Sequence, residues 1–190
     1  MTAYSRIEDI PLFKYGLIMA DPPWRFDHWG DGTDRGPDYQ TMTLPEIIDL
    51  PVRNLLAPDA YLVLWCHPSF PPSQWETVLK AWGCNFVTTG FWVKTQKADP
   101  TKPKMGLGRV LRDCGEPFII GSVGEPGVRN KGLRGVLMAP RRENSRKPEV
   151  AYQLCEDLAP RGAWLLDLFS RQERPGWDCF GNETDHYEAA

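Results

Sequence analysis

The chain has 190 residues, of which 42% are hydrophobic and 25% are charged, and its net charge is −3. These values are typical of one folded domain and exclude a disordered chain, and no apolar run approaches the roughly 18 residues that a membrane span requires. Five scattered cysteines without a C-x-x-C pair indicate reduced, mostly buried thiols, and three unclustered histidines predict no metal. The N-terminus lacks an apolar signal core, so we expect a single cytoplasmic domain over residues 1–190.

Three strands and two helices are predicted in the first half of the chain. The apolar run Tyr15–Ala20 ends at an acid and two prolines, which is typical of a buried central strand. Residues 24–40 are rich in glycine and aspartate and predict a mobile loop. Thr43 stands at capping-box spacing from Glu46 and predicts a helix that reaches Leu50. The later elements are a strand over 61–66, a helix over 73–82 and a strand over 85–94.

The second half also alternates between strands and helices. After a Lys-, Pro- and Gly-rich loop over 95–108, strands are predicted over 117–123, 135–139 and 164–169. Ser145 or Asn144 is expected to cap a helix that runs to Leu158, with Pro148 near its first position. The residues after 169 are predicted to form a polar tail. This alternation indicates an α/β fold with a mostly parallel sheet flanked by helices.

Basic residues are concentrated in residues 94–147, which carry 13 Lys and Arg against five Asp and Glu, a local balance of +8. The rest of the chain carries nine basic and 20 acidic residues, a balance of −11. Such asymmetry is a hint of a surface that faces nucleic acid. A pair of solvated basic loops is the alternative, because residues that are close in sequence need not be close in space.

The central motif is Asp21-Pro22-Pro23-Trp24, which follows the first buried strand. An acid at this point lies at the carboxyl edge of the sheet, where open α/β sheets bind ligands. The two prolines fix the backbone and remove two N–H donors, so we expect a rigid Pro22 carbonyl with little local competition for its lone pairs. Trp24 adds a flat apolar face. The motif therefore predicts a slot for a planar group that carries an NH2.

Such a slot suits methylation of an aromatic amine, which is a poor nucleophile because its lone pair is delocalised into the ring. If Asp21 and Pro22 accept the two amine hydrogens, they can aim the nitrogen lone pair at an electrophilic methyl group. Asp21 can take the proton after transfer, and a base in a duplex would have to leave its stack. Asp-Pro-Pro also occurs in turns and linkers, but its place after a buried strand argues against that alternative.

In its motifs and their order the chain resembles the DPPW-type (MT-A) adenine-N6 methyltransferases. This family includes the catalytic subunit of the messenger-RNA N6-adenosine methyltransferase and bacterial and phage relatives. The resemblance extends from about Tyr15 to Glu183, and each motif is only moderately specific, but the ordered set is strong. After the DPPW motif the set continues with Tyr39-Gln40-Thr41-Met42, Leu64-Trp65, Phe91-Trp92-Val93-Lys94, Gly115-Glu116, Ser145-Arg146-Lys147-Pro148-Glu149, Leu168-Phe169-Ser170-Arg171, Gly176-Trp177 and Gly181-Asn182-Glu183.

The resemblance implies a Rossmann-like class I methyltransferase fold in permuted order, with the catalytic motif before the cofactor strand. It implies S-adenosylmethionine as the cofactor. Because the chain is short, we expect one methyltransferase domain without a separate target-recognition domain. Its catalytic residues would be Asp21, Pro22, Pro23 and Trp24.

The resemblance also assigns binding roles. Lys147 would pair with the methionine carboxylate of the cofactor, and Asp21 would be shared between the cofactor amine and the acceptor. The ribose and adenine would be lined by Phe169, Arg171, Asn182 and Glu183, with Asp9-Ile10 as the candidate for a further adenine contact. The acceptor would be contacted by Tyr39, on a loop that closes over the base, and by Lys94 and Glu116.

Other interpretations of these residues stay open at this point. Lys147 could be a solvated lysine, Phe169 a core residue and Asn182 a turn residue. The chain also departs from the family, since Asp167 stands where Glu is usual and residues 172–174 offer no His-Asn pair for the methionine end of the cofactor.

We therefore expect transfer of a methyl group to the N6 amine of adenine in nucleic acid, with DNA favoured over RNA because the chain is compact. The alternatives are a non-catalytic nucleic-acid-binding subunit of a methyltransferase complex and a methyltransferase for small-molecule amines. The expected partners are nucleic acid, bound through the basic segment 94–147, and a second subunit in a homodimer or heterodimer. No membrane partner is expected.

Overall fold

A computed structural model describes residues 1–25, 39–106, 110–143, 146–182, 184 and 187 of the chain. These residues contain one sheet whose strands are, in chain order, β1 (Ala3–Tyr4), β2 (Tyr15–Ala20), β3 (Leu56–Trp65), β4 (Asn85–Thr95), β5 (Gly115–Val123), β6 (Val136–Pro140), β7 (Trp164–Leu168) and β8 (Trp177–Phe180). Across the sheet the order is β1-β8-β7-β2-β3-β5-β4-β6. Strand β2 therefore lies near the middle, between β7 and β3.

All strands but β5 run in the same direction. β5 is antiparallel to both of its neighbours, β3 and β4, while the other five strand pairs in the described residues are parallel. The sheet is thus mostly parallel and Rossmann-like, as predicted. The strand that leads into the DPPW motif comes early in the chain, but its neighbour β7 comes late, which is the permuted order expected from the resemblance.

Helices cover both faces of the sheet. On one face lie α1 (Leu44–Ile48) and α2 (Pro72–Ala81), and on the other lies α3 (Glu149–Leu158). Ile18 and Ala20 of β2 belong to the core on the side of α1 and α2, whereas Leu17 and Met19 belong to the core on the side of α3. Because both faces of β2 are covered, its sequence is apolar throughout instead of alternating.

The sequence predicts the N-cap of α1 correctly but not that of α3. The predicted capping box of α1 is confirmed, since the Thr43 backbone N–H donates to the Glu46 carboxylate at 2.7 Å and the Glu46 N–H donates to the Thr43 hydroxyl at 3.4 Å. The predicted cap of α3 is wrong. Pro148 itself occupies the cap position in an extended conformation, without a side-chain hydrogen bond, and the helix begins at the next residue. Ser145 and Asn144 lie outside the described residues, as does most of the predicted loop over 24–40.

The tail after residue 169 is not merely polar, because it contains β8, which pairs with both β7 and the short strand β1. Asp178 explains why this strand was missed. It interrupts the apolar pattern, yet it is buried, and it accepts hydrogen bonds from the Thr2 backbone N–H, the Lys14 ammonium and the Tyr15 hydroxyl at 2.7–2.9 Å. A buried acid with three donors can occupy a strand that hydropathy alone does not indicate.

The cysteines have the state expected from their spacing. All five are unpaired, and four of them are buried, Cys66, Cys84, Cys155 and Cys179. No helix in the described part of the chain has the length and apolar character needed to cross a membrane.

Candidate active site

A cleft of about 690 Å³ opens at the carboxyl edge of the sheet, where β2, β3 and β7 end. Eleven of the predicted site residues line it although they are widely separated in sequence. They are Asp21, Pro22, Pro23, Trp24, Tyr39, Lys94, Glu116, Lys147, Phe169, Arg171 and Asn182. A cleft of this size at this edge is where α/β folds bind small molecules and cofactors.

Strand direction explains how Lys94 and Glu116 reach the cleft. Lys94 is near the end of β4, whereas Glu116 is the second residue of β5. Because β5 alone is reversed, its beginning lies at the edge where the other strands end. Trp92 pairs with Glu116 across the two strands, so the end of one and the start of the next form one wall of the cleft.

The DPPW motif is held in place by one hydrogen bond to its backbone and one from its tryptophan side chain. The Pro23 carbonyl accepts from the Met42 N–H at 2.8 Å, and the Trp24 indole N–H donates to the Trp65 carbonyl at 3.0 Å. The expectation of little competition at Pro22 is wrong in part, because the Trp24 backbone N–H donates to the Pro22 carbonyl at 2.8 Å. A carbonyl has two lone pairs, so one acceptor position remains for a ligand.

Four charged side chains form an alternating chain at the base of the cleft. The Lys147 ammonium lies 2.7 Å from the Asp21 carboxylate and 2.8 Å from that of Glu116, and the Lys94 ammonium lies 2.7 Å from the other Glu116 oxygen. We call this set the charge chain. The Lys147 side chain is 8% exposed, and its ammonium also lies 4.9 Å from the Trp65 ring centre. The alternative of a solvated lysine is therefore wrong.

The charge chain separates the two carboxyl groups in their proton affinity. Burial raises the pKa of Asp21, and the lowering effect of Lys147 does not fully offset it. Burial also raises the pKa of Glu116, but Lys147 and Lys94 together bring it down to about 2. For Lys147, burial lowers the pKa and the two carboxylates raise it more, so the ammonium stays charged. Of the two carboxyl groups, Asp21 is thus the one that takes up a proton more readily.

Phe169 and Arg171 shape the opposite side of the cleft. Phe169 follows β7 with a φ of 71°, an uncommon value for a residue with a side chain, and its ring packs edge-on against Phe180 at 6.1 Å. It is therefore both part of the core edge and part of the cleft lining. The Arg171 guanidinium lies 5.5 Å from the Tyr39 ring centre and 5.7 Å from that of Tyr187. The left-handed backbone conformation of Phe169 indicates that the contacts around this residue impose it.

Asn182 reaches the cleft because Gly181 permits a close approach of two backbone segments. A Cβ at position 181 would lie 2.2 Å from the Ser170 carbonyl oxygen, which no other residue could tolerate without displacement. The interpretation of Asn182 as a turn residue alone is thus incomplete, since it also lines the cleft. Glu183 lies outside the described residues.

Asp9 and Ile10 do not line the cleft, and their assignment as cofactor contacts is not supported. Asp9 is an exposed residue at the end of a single 3-10 turn, Ile7–Asp9. Ile10 is 2% exposed and belongs to the core on the side of α1 and α2.

Several cleft residues were missed by the sequence analysis, notably Cys66, His67 and Asp113. A signal for these two was available, since Cys66 ends a predicted buried strand and His67 directly follows it, as Asp21 follows β2. Asp113 precedes β5, and its position depends on the reversal of that strand. Among the described residues, no group of three or more His, Cys, Asp or Glu side chains is arranged to hold a metal ion.

Two features in and beside the cleft suit a cofactor that carries an amino acid. Gln172 lines a small pocket that adjoins the cleft at Asp21, Lys147 and Phe169. It is 2% exposed, and its side-chain Nε2 has no hydrogen-bond partner among the described residues. A buried donor in this state is suited to a carboxylate. Lys147 has three N–H donors, and the two carboxylates of the charge chain occupy two of them, so one remains for a ligand. Asp167, next to this region, accepts from the Tyr152 and Ser170 hydroxyls at 2.9 and 2.8 Å, and burial raises its pKa to about 7.

The basic segment 94–147 divides between two edges of the sheet. Because β5 runs from the cleft edge to the opposite edge, the connection that follows it, with Arg129, Lys131 and Arg134, lies far from the cleft. Residues 96–106, 110–114, 141–143 and 146–147 lie at the cleft edge, where Lys97, Lys104 and Arg112 are exposed. The segment is therefore not one surface, and only part of it can serve a ligand in the cleft.

Comparison with known proteins is consistent with this geometry. A family model described as MT-A70 matches residues 15–183. The chain is 31% identical over 179 residues to the N(6)-adenosine-methyltransferase catalytic subunit METTL3 of Homo sapiens, which is 92% of this chain and 29% of that protein. It is 30% identical over 177 residues to the N(6)-adenosine-methyltransferase MT-A70-like protein of Arabidopsis thaliana (92% and 24%). It is 28% identical over 194 residues to the N(6)-adenine-specific methyltransferase METTL4 of Homo sapiens (92% and 39%). The chain thus spans between 24% and 39% of the length of these relatives.

Proposed function

The chain belongs to the MT-A70 family, and from this premise we propose that it transfers a methyl group from S-adenosylmethionine to the N6 amine of adenine in nucleic acid. Methyltransferases of this family depend on S-adenosylmethionine, which supplies an electrophilic methyl group when bound. The observation that carries the proposal is the placement of two acceptors, the Asp21 carboxylate and the Pro22 carbonyl, beside the Trp24 ring in a cleft of about 690 Å³.

In the proposed reaction the protein orients the amine instead of activating it with a strong base. Asp21 accepts one amine hydrogen and the free lone pair of the Pro22 carbonyl accepts the other. Their fixed positions pull the nitrogen away from conjugation and direct its lone pair. The nitrogen becomes cationic as the new bond forms, and the proton it then releases goes to Asp21, whose pKa is raised by burial.

The charge chain keeps Asp21 in the state that this role requires. Lys147 contacts Asp21 directly, so it holds the carboxylate in place and limits the rise of its pKa. Glu116 and Lys94 hold Lys147 from the other side. The remaining donor of Lys147 and the side-chain amide of Gln172 are the groups that would bind the methionine carboxylate of the cofactor.

Nucleic acid is the proposed carrier of the adenine, and DNA is the polymer we favour, while RNA remains the alternative. The basic residues at the cleft edge, Lys97, Lys104 and Arg112, are suited to phosphate contacts around a base in the cleft. A second subunit in a homodimer or heterodimer also remains a proposal.

The direct test is incubation of the protein with labelled S-adenosylmethionine and either DNA or RNA, followed by digestion to nucleosides. We expect label in N6-methyladenine, and Asp21→Ala should reduce it by at least about 100-fold because an orienting acceptor is lost. Asp49→Ala, which removes an exposed acid outside the cleft, is the matched control and should retain activity. Label found only in a cytosine product, or equal activity of Asp21→Ala and wild type, would contradict the proposal.

A further inference from the structure

Arg146 and Gln172 connect two segments of the chain beside the cleft. Arg146 precedes Lys147 in the segment between β6 and α3, and Gln172 lies in the segment between β7 and β8. Both residues line the small pocket that adjoins the cleft, together with Asp21 and Lys147. The Arg146 Nε–H donates to the Gln172 Oε1 at 2.7 Å. This hydrogen bond therefore joins the segment that carries Lys147 to the one that carries Gln172.

The donor and the acceptor of this hydrogen bond are each held by other contacts. The Arg146 side chain is 15% exposed, and its Nη1 lies 3.3 Å from the Glu143 carboxylate. The guanidinium also lies 4.9 Å from the Tyr187 ring centre. On the other side, the Gln172 backbone N–H donates to the Ser170 hydroxyl at 3.3 Å. Both side chains therefore start from fixed positions, and the contact between them is well defined.

The contact with Arg146 determines which way the Gln172 amide is turned. A guanidinium only donates hydrogen bonds, so the end of the amide beside it is the carbonyl oxygen. The NH2 end is therefore directed elsewhere, and it is buried without a partner among the described residues. The two ends of an amide have nearly the same size, so hydrogen bonding and not shape decides between the two orientations. Without Arg146, an oxygen could take the place that the NH2 group now occupies.

We propose that Arg146 is a positioning residue that fixes the orientation of the Gln172 amide, so that its NH2 group is presented to the methionine carboxylate of the cofactor. This inference rests on the proposed function, in which Gln172 and Lys147 bind that carboxylate. A carboxylate only accepts hydrogen bonds, so an NH2 group binds it whereas a carbonyl oxygen repels it. Arg146 acts through Gln172, and its own charge is paired with Glu143.

The test is calorimetric titration of the protein with S-adenosylmethionine and with decarboxylated S-adenosylmethionine, which lacks only the carboxylate. The wild type should bind the first at least about tenfold more tightly, the size of one hydrogen bond to a charged group. Arg146→Met removes the donor and should weaken binding of S-adenosylmethionine by about tenfold. It should leave the affinity for the decarboxylated ligand unchanged. Arg129→Met is the matched control, since Arg129 pairs with Asp157 at 3.9 Å far from the cleft, and it should change neither affinity.

A double-mutant cycle separates positioning from a direct effect of the arginine charge. Gln172→Met removes the amide, so adding Arg146→Met to it should cause no further loss of affinity for S-adenosylmethionine. A further loss in the double variant would overturn the positioning role. Equal weakening of both ligands by Arg146→Met, or no weakening of either, would overturn it as well, while the proposed function would stand. Failure of the wild type to bind S-adenosylmethionine would overturn the proposed function too.

Discussion

Replacing Lys147 by methionine removes the cation that the two acids of the cleft share. Methionine fills part of the volume of the lysine stem but has no ammonium, so contacts of 2.7 Å to Asp21 and 2.8 Å to Glu116 are lost. The lysine side chain is 8% exposed and the carboxylates are 24% and 23% exposed, so water replaces these contacts only in part. We expect a loss of about 3 kcal/mol in the free energy of unfolding, the lower end of the range for a broken buried pair.

The assay is urea denaturation at pH 7, with Lys80→Met as the matched control. Lys80 lies at the same 2.7 Å from Glu76, but its side chain is 69% exposed, so its loss should cost about 0.5 kcal/mol or less. Lys147→Met should also reduce methyl transfer by about 100-fold or more, because loss of the cation raises the pKa of Asp21 further and favours the protonated carboxyl, which accepts hydrogen bonds poorly. Equal destabilisation by the two substitutions, or wild-type stability and activity of Lys147→Met, would refute the reasoning.

Two further predictions concern salt and pH. The affinity for nucleic acid falls as salt rises, and a plot of log affinity against log salt has a negative slope. The double variant Lys97→Ala/Lys104→Ala should make this slope less steep by about 2, whereas Lys131→Ala/Arg134→Ala at the opposite edge should leave it unchanged. Equal effects of the two pairs would contradict the division of the basic segment. Because the folded pKa of Glu116 is lowered from 4.5 to about 2, its contribution to stability is present above pH 4.5 and is lost as pH falls towards 2. The difference in unfolding free energy between wild type and Glu116→Gln should therefore shrink by about 2 kcal/mol over that range, and a constant difference would exclude this role.

The features that can be predicted from the sequence are those caused by residues that are neighbours in the chain. Tyr15–Ala20 is apolar because it is covered on both faces, and the acid that follows it is at the carboxyl edge wherever the rest of the chain goes. The capping box of Thr43 and Glu46 likewise needs only three residues of spacing. Such features can be predicted because the residues that cause them are neighbours.

The features that could not be predicted depend on contacts between distant residues. The bridge from Lys147 to Glu116 joins residues 31 positions apart and requires the reversal of β5, which no local pattern indicates. The same reversal moves part of the basic segment to the far edge. Strand β8 cannot be predicted from hydropathy because it contains the buried Asp178, which accepts hydrogen bonds from three donors in the N-terminal part of the chain.

The hairpin between β4 and β5 has a consequence for how this protein could change its target. Lys94 and Glu116 are held by the two strands. The Lys94 N–H donates to the Cys114 carbonyl at 2.8 Å, at the point where the segment that connects the two strands begins and ends. Because the two ends of this connecting segment lie next to each other, its length and sequence can vary without displacing Lys94 or Glu116. Exchange of this segment would alter what lies beside the cleft while Lys94 and Glu116 keep their positions. The reversed strand thus lets this connecting segment vary independently of the positions of Lys94 and Glu116.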